Sequence, residues 1–360
     1  MANYYDSIRK REKRSRKRHK FFRWIGVLLV FGGGILAILT YQFLFRTNVW
    51  LDGKKSVGIV IPLNSNWTDV KQMLYTKGLI SNHLTFEWVA KLKDYPDYIK
   101  PGHYQLKEGM NNLQLVNKLR SGRQDPVDLV FNNIRTKQEL AGRLGEQLES
   151  DSTEIIRHLN DAEYLKKFGM NPETVITMFI PNTYETYWTT PADKLLERMY
   201  KEYNKFWNTS RQQKLQETGL TRLEVMTLAS IVDKESNRND EKPTIAGVYM
   251  NRLRLGWMLQ ADPTLVFAIG DFGIKRVLNV YKSIDSPYNT YKHTGLPPGP
   301  ICIPAIASID AVLNYQKHNY MYFCAREDFS GYHNFAVNLD QHLLNAAKYQ
   351  QALDRQGIMK

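Results

Sequence analysis

The sequence predicts an α+β protein carried on a single N-terminal transmembrane helix, with a small α+β module next and a larger α+β domain after it. Three observations carry that prediction. A 22-residue apolar run stands close behind a basic N-terminal arm. Short strand patterns and amphipathic helices then alternate as far as Gly122. Beyond them a mainly helical stretch is followed, late in the chain, by strand patterns, and helices with segregated strands indicate α+β. At 360 residues the chain can form two domains and a sizeable core.

The formal charge of +13 is uneven. Residues 1–20 hold nine Lys or Arg (Arg9, Lys10, Arg11, Lys13, Arg14, Arg16, Lys17, Arg18, Lys20) against Asp6 and Glu12. Such an arm could bind nucleic acid, but it abuts residues 24–45, which are apolar apart from Thr40 and Gln42. As a helix these 22 residues span about 33 Å, enough for a bilayer core. The run is too long for a signal-peptide core, and no small-residue cleavage site follows it. Phe21, Phe22 and Trp24 at one end, with Tyr41 and Phe43 near the other, suit interfacial aromatic belts. The positive-inside rule places residues 1–23 in the cytoplasm and everything after Arg46 outside, with membrane lipid around residues 24–45 and no nucleic-acid partner.

The next elements follow from local patterns. Val57, Ile59 and Ile61 share a face of a short strand over 56–61. A helix starts after Asn64 or Ser65, carries Trp67, Val70 and Leu74, and is closed by Gly78. A second helix carries Leu84, Trp88 and Leu92; residues 102–106 form a strand; a third helix holds Leu113, Val116 and Leu119 and ends at Gly122. A boundary is expected near there, with the module over 46–131 and the larger domain over 132–360. Residues 132–220 read as mainly helical, with a capping-box spacing at Thr136 and Glu139 and a break at Ile180-Pro181. Prolines make 286–304 an ordered loop. Residues 320–325 and 332–337 read as paired strands, and 340–353 as a closing helix.

One helix carries chemistry. Thr221-Arg222-Leu223-Glu224 has the spacing of a capping box, so a helix begins near residue 222. Leu223, Met226, Leu228, Ala229, Ile231 and Val232 bury most of its circumference. Glu235 continues that apolar stripe. A carboxylate entering an apolar surface is costly while charged, so its pKa should rise, as suits a general acid near neutral pH. A plain reading of the same helix leaves Glu235 solvated or paired with Lys234 or Arg238.

The residues around it form an ordered set of motifs. Ala229-Ser230-Ile231-Val232-Asp233-Lys234-Glu235-Ser236 is followed by Asn251-Arg252-Leu253 and by Leu259-Gln260-Ala261-Asp262-Pro263-Thr264. Then come Tyr288-Asn289-Thr290-Tyr291, Gly295-Leu296-Pro297-Pro298-Gly299 and, late in the chain, Gly331-Tyr332-His333-Asn334-Phe335. This set resembles the YceG-like family of endolytic murein transglycosylases, from about Val49 onward and most specifically over 229–301. The family pattern A-S-I-V-E-K-E-T is met with Asp233 for Glu and Ser236 for Thr; L-Q-T-D-P-T is met with Ala261 for Thr; Asn182 stands for the Asp of a family loop motif. The resemblance implies a YceG-like catalytic domain with Glu235 as catalytic acid, preceded by a LysM-like module.

The implied reaction is glycan cleavage in which one Glu serves as acid and then base. The C6 hydroxyl of N-acetylmuramic acid attacks its own C1 and leaves a 1,6-anhydro end. The implied partners are peptidoglycan glycan strands and peptidoglycan synthases. A muramidase-type hydrolase would need a second carboxylate, and Asp262 is the one the sequence offers, although Asp-Pro-Thr is also a common turn or cap. A non-catalytic wall-binding scaffold is the reading from another class. Gln260, Asp262, Thr264, Tyr288, Asn289, Thr290 and Tyr291 supply the amides, hydroxyls and rings a saccharide groove uses; each equally fits a loop residue bonded to its own backbone. His333 could orient Glu235, bind substrate or be structural. No His or Cys pair has metal-ligand spacing, and no phosphate-binding glycine loop or G-x-S-x-G elbow is present, so neither metal nor cofactor is expected. Cys302 and Cys324 would share an oxidising compartment, and the sequence leaves their pairing open.

Overall fold

A 44-residue helix, α1 (Ala2–Phe45), opens the chain and takes in both the basic arm and the apolar run. The computed structural model describes residues 2–274 and 277–357; the side chains of the basic arm and of Phe22 lie outside the described residues. Within α1, Arg23–Phe45 is long and apolar enough to cross a membrane, and it is exposed over most of its length, with Phe43 and Leu44 partly buried near its end. The chain divides into two units: residues up to 126 with Tyr187–Thr189, and residues 127–186 with 190 onward.

In the first unit β1 (Ser56–Ile61) pairs antiparallel with β2 (Gly102–Lys107), with Ile59 opposite Tyr104. Ile59, Ile61, Tyr104 and Leu106 point into one core with residues from α2 (Trp67–Thr76), α3 (His83–Leu92) and α4 (Asn112–Ser121). The cap of α2 is Asn66, one or two residues later than expected. Its side chain accepts from the backbone N–H of Thr68 and Asp69, and Asp69 reaches back to complete a capping box. On α3 the expected apolar face is corrected. Phe86, Val89 and Ala90 are buried, whereas Leu84, Trp88 and Leu92 are exposed.

The second unit begins earlier than the expected cut after residue 131. β3 (Val127–Val130) pairs antiparallel with β4 (Thr183–Thr186), a strand pair the sequence did not announce. Between them lie α5 (Lys137–Gly145), α6 (Ser152–Asn160) and α7 (Ala162–Lys166). Thr136 caps α5, but Glu139 bonds to the backbone N–H of Arg135, so the expected reciprocal box is one-sided. There follow α8 (Ala192–Phe206), α9 (Thr209–Thr218), α10 (Arg222–Glu235), α11 (Lys242–Arg254), α12 (Asp262–Ile269) and α13 (Ile306–Leu313). The hairpin of β5 (Tyr322–Ala325) and β6 (His333–Ala336) and the helix α14 (Leu339–Arg355) complete the mixed α+β unit, as expected.

At the centre of the second unit is α10. Thr221 and Glu224 make the complete capping box that starts it, and Val225 through Val232 are buried without interruption. A helix apolar all round must be enclosed, and α11, α12 and α13 pack on α10. Ser230 fastens the Pro-rich loop to this helix. Its hydroxyl donates to the Thr227 carbonyl and accepts from the Ile301 backbone N–H at 2.9 Å.

Candidate active site

Glu235 is the last residue of α10. Its body follows eight buried residues and its carboxyl opens on a cleft, so it is half-buried. Loss of water around the carboxylate pushes its pKa up to about 7. The Tyr249 hydroxyl, donating to Glu235 Oε1 at 2.6 Å, opposes the rise, as does nearby Arg252; the negative charge of Asp262 adds to it. The C-terminal end of a helix also disfavours a negative charge. A substantial fraction of the carboxyl groups therefore keeps its proton near neutral pH while remaining open to a ligand.

Tyr249 and Arg252 come from α11, three residues apart and so on one face. Tyr249 is fully buried, and burial beside Glu235 drives its own pKa well above the usual phenol value, which keeps it a donor. Arg252 bonds to the backbone carbonyls of Leu259 and, at 2.9 Å, Met321. It thus holds the loop before α12 and the entry to β5 against α11. Asp233 anchors the same corner. Lys242 Nζ lies 3.1 Å from Asp233 Oδ1 and donates to Ser308 Oγ, tying α10 to α11 and α13. Asp233 therefore braces the helix two residues before Glu235.

Three hollows meet at Glu235. One is walled by Arg238, Arg326, Phe329, Tyr332 and His333. Another runs past Asp262 to Arg135, Phe267, Phe272 and Ile301. The third contains Tyr249, Arg252, Gln260, Asp262, Tyr291 and Phe323. The cleft therefore extends to several sides of the carboxyl group rather than ending at it. Aromatic rings, guanidinium groups and hydroxyls line it. Among the described residues, no group of three or more His, Cys, Asp or Glu is gathered to hold a metal ion.

A family model described as the YceG-like family matches residues 59–348. The chain belongs to the YceG-like family. A protein of Streptococcus pneumoniae named endolytic murein transglycosylase is 28% identical over 346 residues, covering 86% of this chain and 61% of its own length. A Bacillus subtilis protein of the same name is 27% identical over 337 residues, covering 89% and 91%. The chain thus spans less than two thirds of the pneumococcal relative. The crystal structure of a YceG-like protein from Listeria monocytogenes superposes with a TM-score of 0.54 at 28% identity, over 81% of this chain and 99% of that one.

Within this YceG-like domain the residues expected at a saccharide groove separate into two groups. Gln260, Asp262 and Tyr291 border the cleft with Glu235, and Tyr291 Oη donates to Asp262 Oδ1 at 2.6 Å. The others do not reach it. Thr264 is fully buried; its hydroxyl donates to the Ala261 carbonyl and meets Thr290 Oγ1 at 2.8 Å. Thr290 accepts from the Ala261 backbone N–H. Asn289 is fully buried and donates to the carbonyls of Lys282 and Ile284. These three side chains spend their polar groups inside the loop, as buried polar groups must. Tyr288 packs partly buried against the core and the Phe267 ring. They hold the loop and the start of α12 together, and none of them lines the three hollows at Glu235.

His333 lines the cleft but does not orient Glu235. Its Nδ1 is 2.8 Å from Glu241 Oε2, and Glu241 Oε1 accepts from its backbone N–H. Arg238 does not pair with Glu235 either; it bonds to the Ser330 carbonyl and lies over the Tyr332 ring. The sequence reading missed Tyr249, Phe329 and Tyr349, the last of which borders two of the three hollows. Tyr249 stands three residues before Arg252, but spacing alone does not say which neighbour that helix face meets. Cys302 and Cys324 are both free thiols; burial pushes Cys302 up to about 12.

Proposed function

We propose that this chain is a membrane-anchored endolytic lytic transglycosylase acting on peptidoglycan glycan strands, with Glu235 as its single acid and base. The observation that carries the reading is the state of Glu235: a carboxyl held near neutral pKa, open to a cleft that continues past it on more than one side. A cleft of that form admits the interior of a strand. The names of the relatives in Streptococcus pneumoniae and Bacillus subtilis support the same activity.

In this reaction the Glu235 O–H protonates the oxygen between N-acetylmuramic acid and N-acetylglucosamine. The C1–O bond breaks and leaves an oxocarbenium-like centre at C1. The resulting carboxylate takes the proton of the C6 hydroxyl as that oxygen bonds to C1 of the same sugar. The products are a 1,6-anhydro-N-acetylmuramic acid end and a free N-acetylglucosamine hydroxyl. Tyr249 holds the carboxyl in position through both steps. Asp262, anchored by Tyr291, is a fixed negative charge beside the developing cation.

A hydrolase reading draws on one observation: Asp262 shares the cleft with Glu235. Mass analysis of the products of purified peptidoglycan separates the two. Anhydro ends are expected, and reducing ends instead would replace the transglycosylase with a hydrolase.

The organisation that accompanies this activity is a basic arm over 1–23, a membrane span over 24–45 in contact with lipid, a LysM-like module, and a catalytic domain from residue 127. The arm faces the cytoplasm and the catalytic domain the wall, where it would meet peptidoglycan synthases. A C-terminal reporter that reads as cytoplasmic would overturn the orientation. The domain cut fails if the fragment from residue 127 onward shows no cooperative melting.

A further inference from the structure

We propose that the exposed face of α3 is a second membrane contact, in which Leu84, Trp88 and Leu92 enter the lipid–water interface beside the exit of α1. These residues are spaced by four, so they form one stripe along the helix. They are 81%, 44% and 54% exposed, while the opposite face, Phe86, Val89 and Ala90, is buried in the first unit. Among the described residues the stripe is left largely uncovered, with Trp88 touching a neighbour, Phe43.

Its position beside the span identifies the cover. The Trp88 ring centroid lies 5.4 Å from that of Phe43, and Leu84 borders a hollow shared with Leu39, Gln42 and Phe43. Leu39 and Phe43 belong to the helix segment that ends at Phe45. At about 1.5 Å per residue they lie roughly 9 and 3 Å before its end. A bilayer that covers Leu39 and Phe43 must therefore meet Leu84 and Trp88 at the same level.

The level is fixed by hydrogen bonds. Asn112, itself buried, donates to the Phe43 carbonyl at 2.9 Å and to Thr85 Oγ1 at 3.0 Å, and accepts from Asn48 Nδ2 at 2.6 Å. Asn48 in turn donates to the Asn82 carbonyl and accepts from its backbone N–H. The last turn of the span and the first turn of α3 are thus joined through two buried amides, so α3 does not swing away from the span.

The chemistry of the stripe fits the interface rather than the bilayer core. Trp prefers the headgroup level, where its ring is apolar and its N–H wet. Lys91 is exposed next to Leu92, and a lysine there can lay its stem on lipid and keep its charge among phosphates. The inference rests only on residues 24–45 crossing a bilayer. It holds for either orientation and whether or not the second unit cleaves glycan.

The test uses the full-length chain carrying Cys324→Ser and Leu84→Cys; Cys302 is buried and its thiol pushed up, so the introduced thiol takes the label. The protein is labelled with bimane and reconstituted in phosphatidylcholine–phosphatidylglycerol vesicles whose lipids carry a nitroxide close to the headgroup. A label at position 84 should lose most of its fluorescence, and one introduced by Thr68→Cys on α2 should keep most of its own. Leu92→Cys gives a second reading on the same stripe. Equal quenching at 84 and 68, or none at 84 and 92, overturns the proposal. A preparation inactive on peptidoglycan yet quenched at 84 would overturn the proposed activity and leave this contact standing.

Discussion

Glu235 closes α10 and Asp262 opens α12, so two carboxylates border one cleft from opposite ends of helices. Glu235 follows eight buried residues and lies at the helix end that disfavours negative charge. Asp262 is exposed, receives the Tyr291 hydroxyl, and lies at the end that favours it. One site thus holds a carboxyl raised toward neutral pH, chiefly by loss of water and in smaller part by the negative charge of Asp262. Under the proposed mechanism, the roles of acid and electrostatic support are divided by environment rather than by residue type.

The largest expected effect breaks the comparison at Glu235. Glu235→Gln keeps shape and hydrogen bonding but cannot donate and recover a proton; glycan cleavage should fall by about 10²–10⁴-fold. Near-wild-type initial rates would remove Glu235 from the mechanism.

The same variant should be more stable than wild type, and only above about pH 4.5. Burial raises Glu235 from an ordinary 4.5 to about 7, so its charged form opposes folding. The wild type then loses stability as pH rises from about 4.5 toward 7, and the difference persists above. Allowing for the open side of the carboxyl, about 1–2 kcal/mol is expected in denaturant melts at high pH, and none in acid. A constant difference at all pH values would mean the burial cost was misassigned.

Tyr249→Phe sharpens the comparison from the Glu235 side. The lost bond held the carboxyl in place and favoured its charged form. The rate should drop by about 2–10-fold, from a bond worth about 0.5–1.5 kcal/mol. The alkaline limb of the pH–rate profile should move upward; a limb that stays put makes Tyr249 purely structural. Asp262→Asn is the smallest change. It should keep activity within about tenfold, preserve anhydro products, and move the alkaline limb downward by less than about one pH unit. Complete loss of activity with this variant would favour a two-carboxylate hydrolase.

Much of this was legible because its causes are local. The capping box at Thr221 and Glu224 and the unbroken burial through Val232 follow from residues a few positions apart, and they place Glu235 at a helix end. The hairpin of β5 and β6 and the closing helix were likewise readable. The pair of β3 and β4 was not, because residues 127–130 and 183–186 meet only after three helices have packed between them. Thr264, Asn289 and Thr290 read as groove residues because a polar side chain in a loop looks the same whether it faces a ligand or its own backbone. On α3 the stripe of Leu84, Trp88 and Leu92 has the spacing of a core face, and only the packing of Phe86 and Val89 shows that it is the other one.

The sequence by itself determined that an apolar span precedes two mixed α+β units and that a carboxyl group stands at the end of an apolar helix. Those facts rest on periodicity, capping and charge, which act over a few residues. Tertiary structure alone decided that Tyr249 would be the partner of Glu235, that Glu241 would take His333, and that Asp262 would face the cleft while Thr264 was buried against Thr290. Each depends on how separate elements pack: α10 against α11, β6 against the start of α11, and α12 against the loop that carries Thr290. Burial and hydrogen-bond satisfaction across the whole unit select such contacts, and no local pattern encodes them.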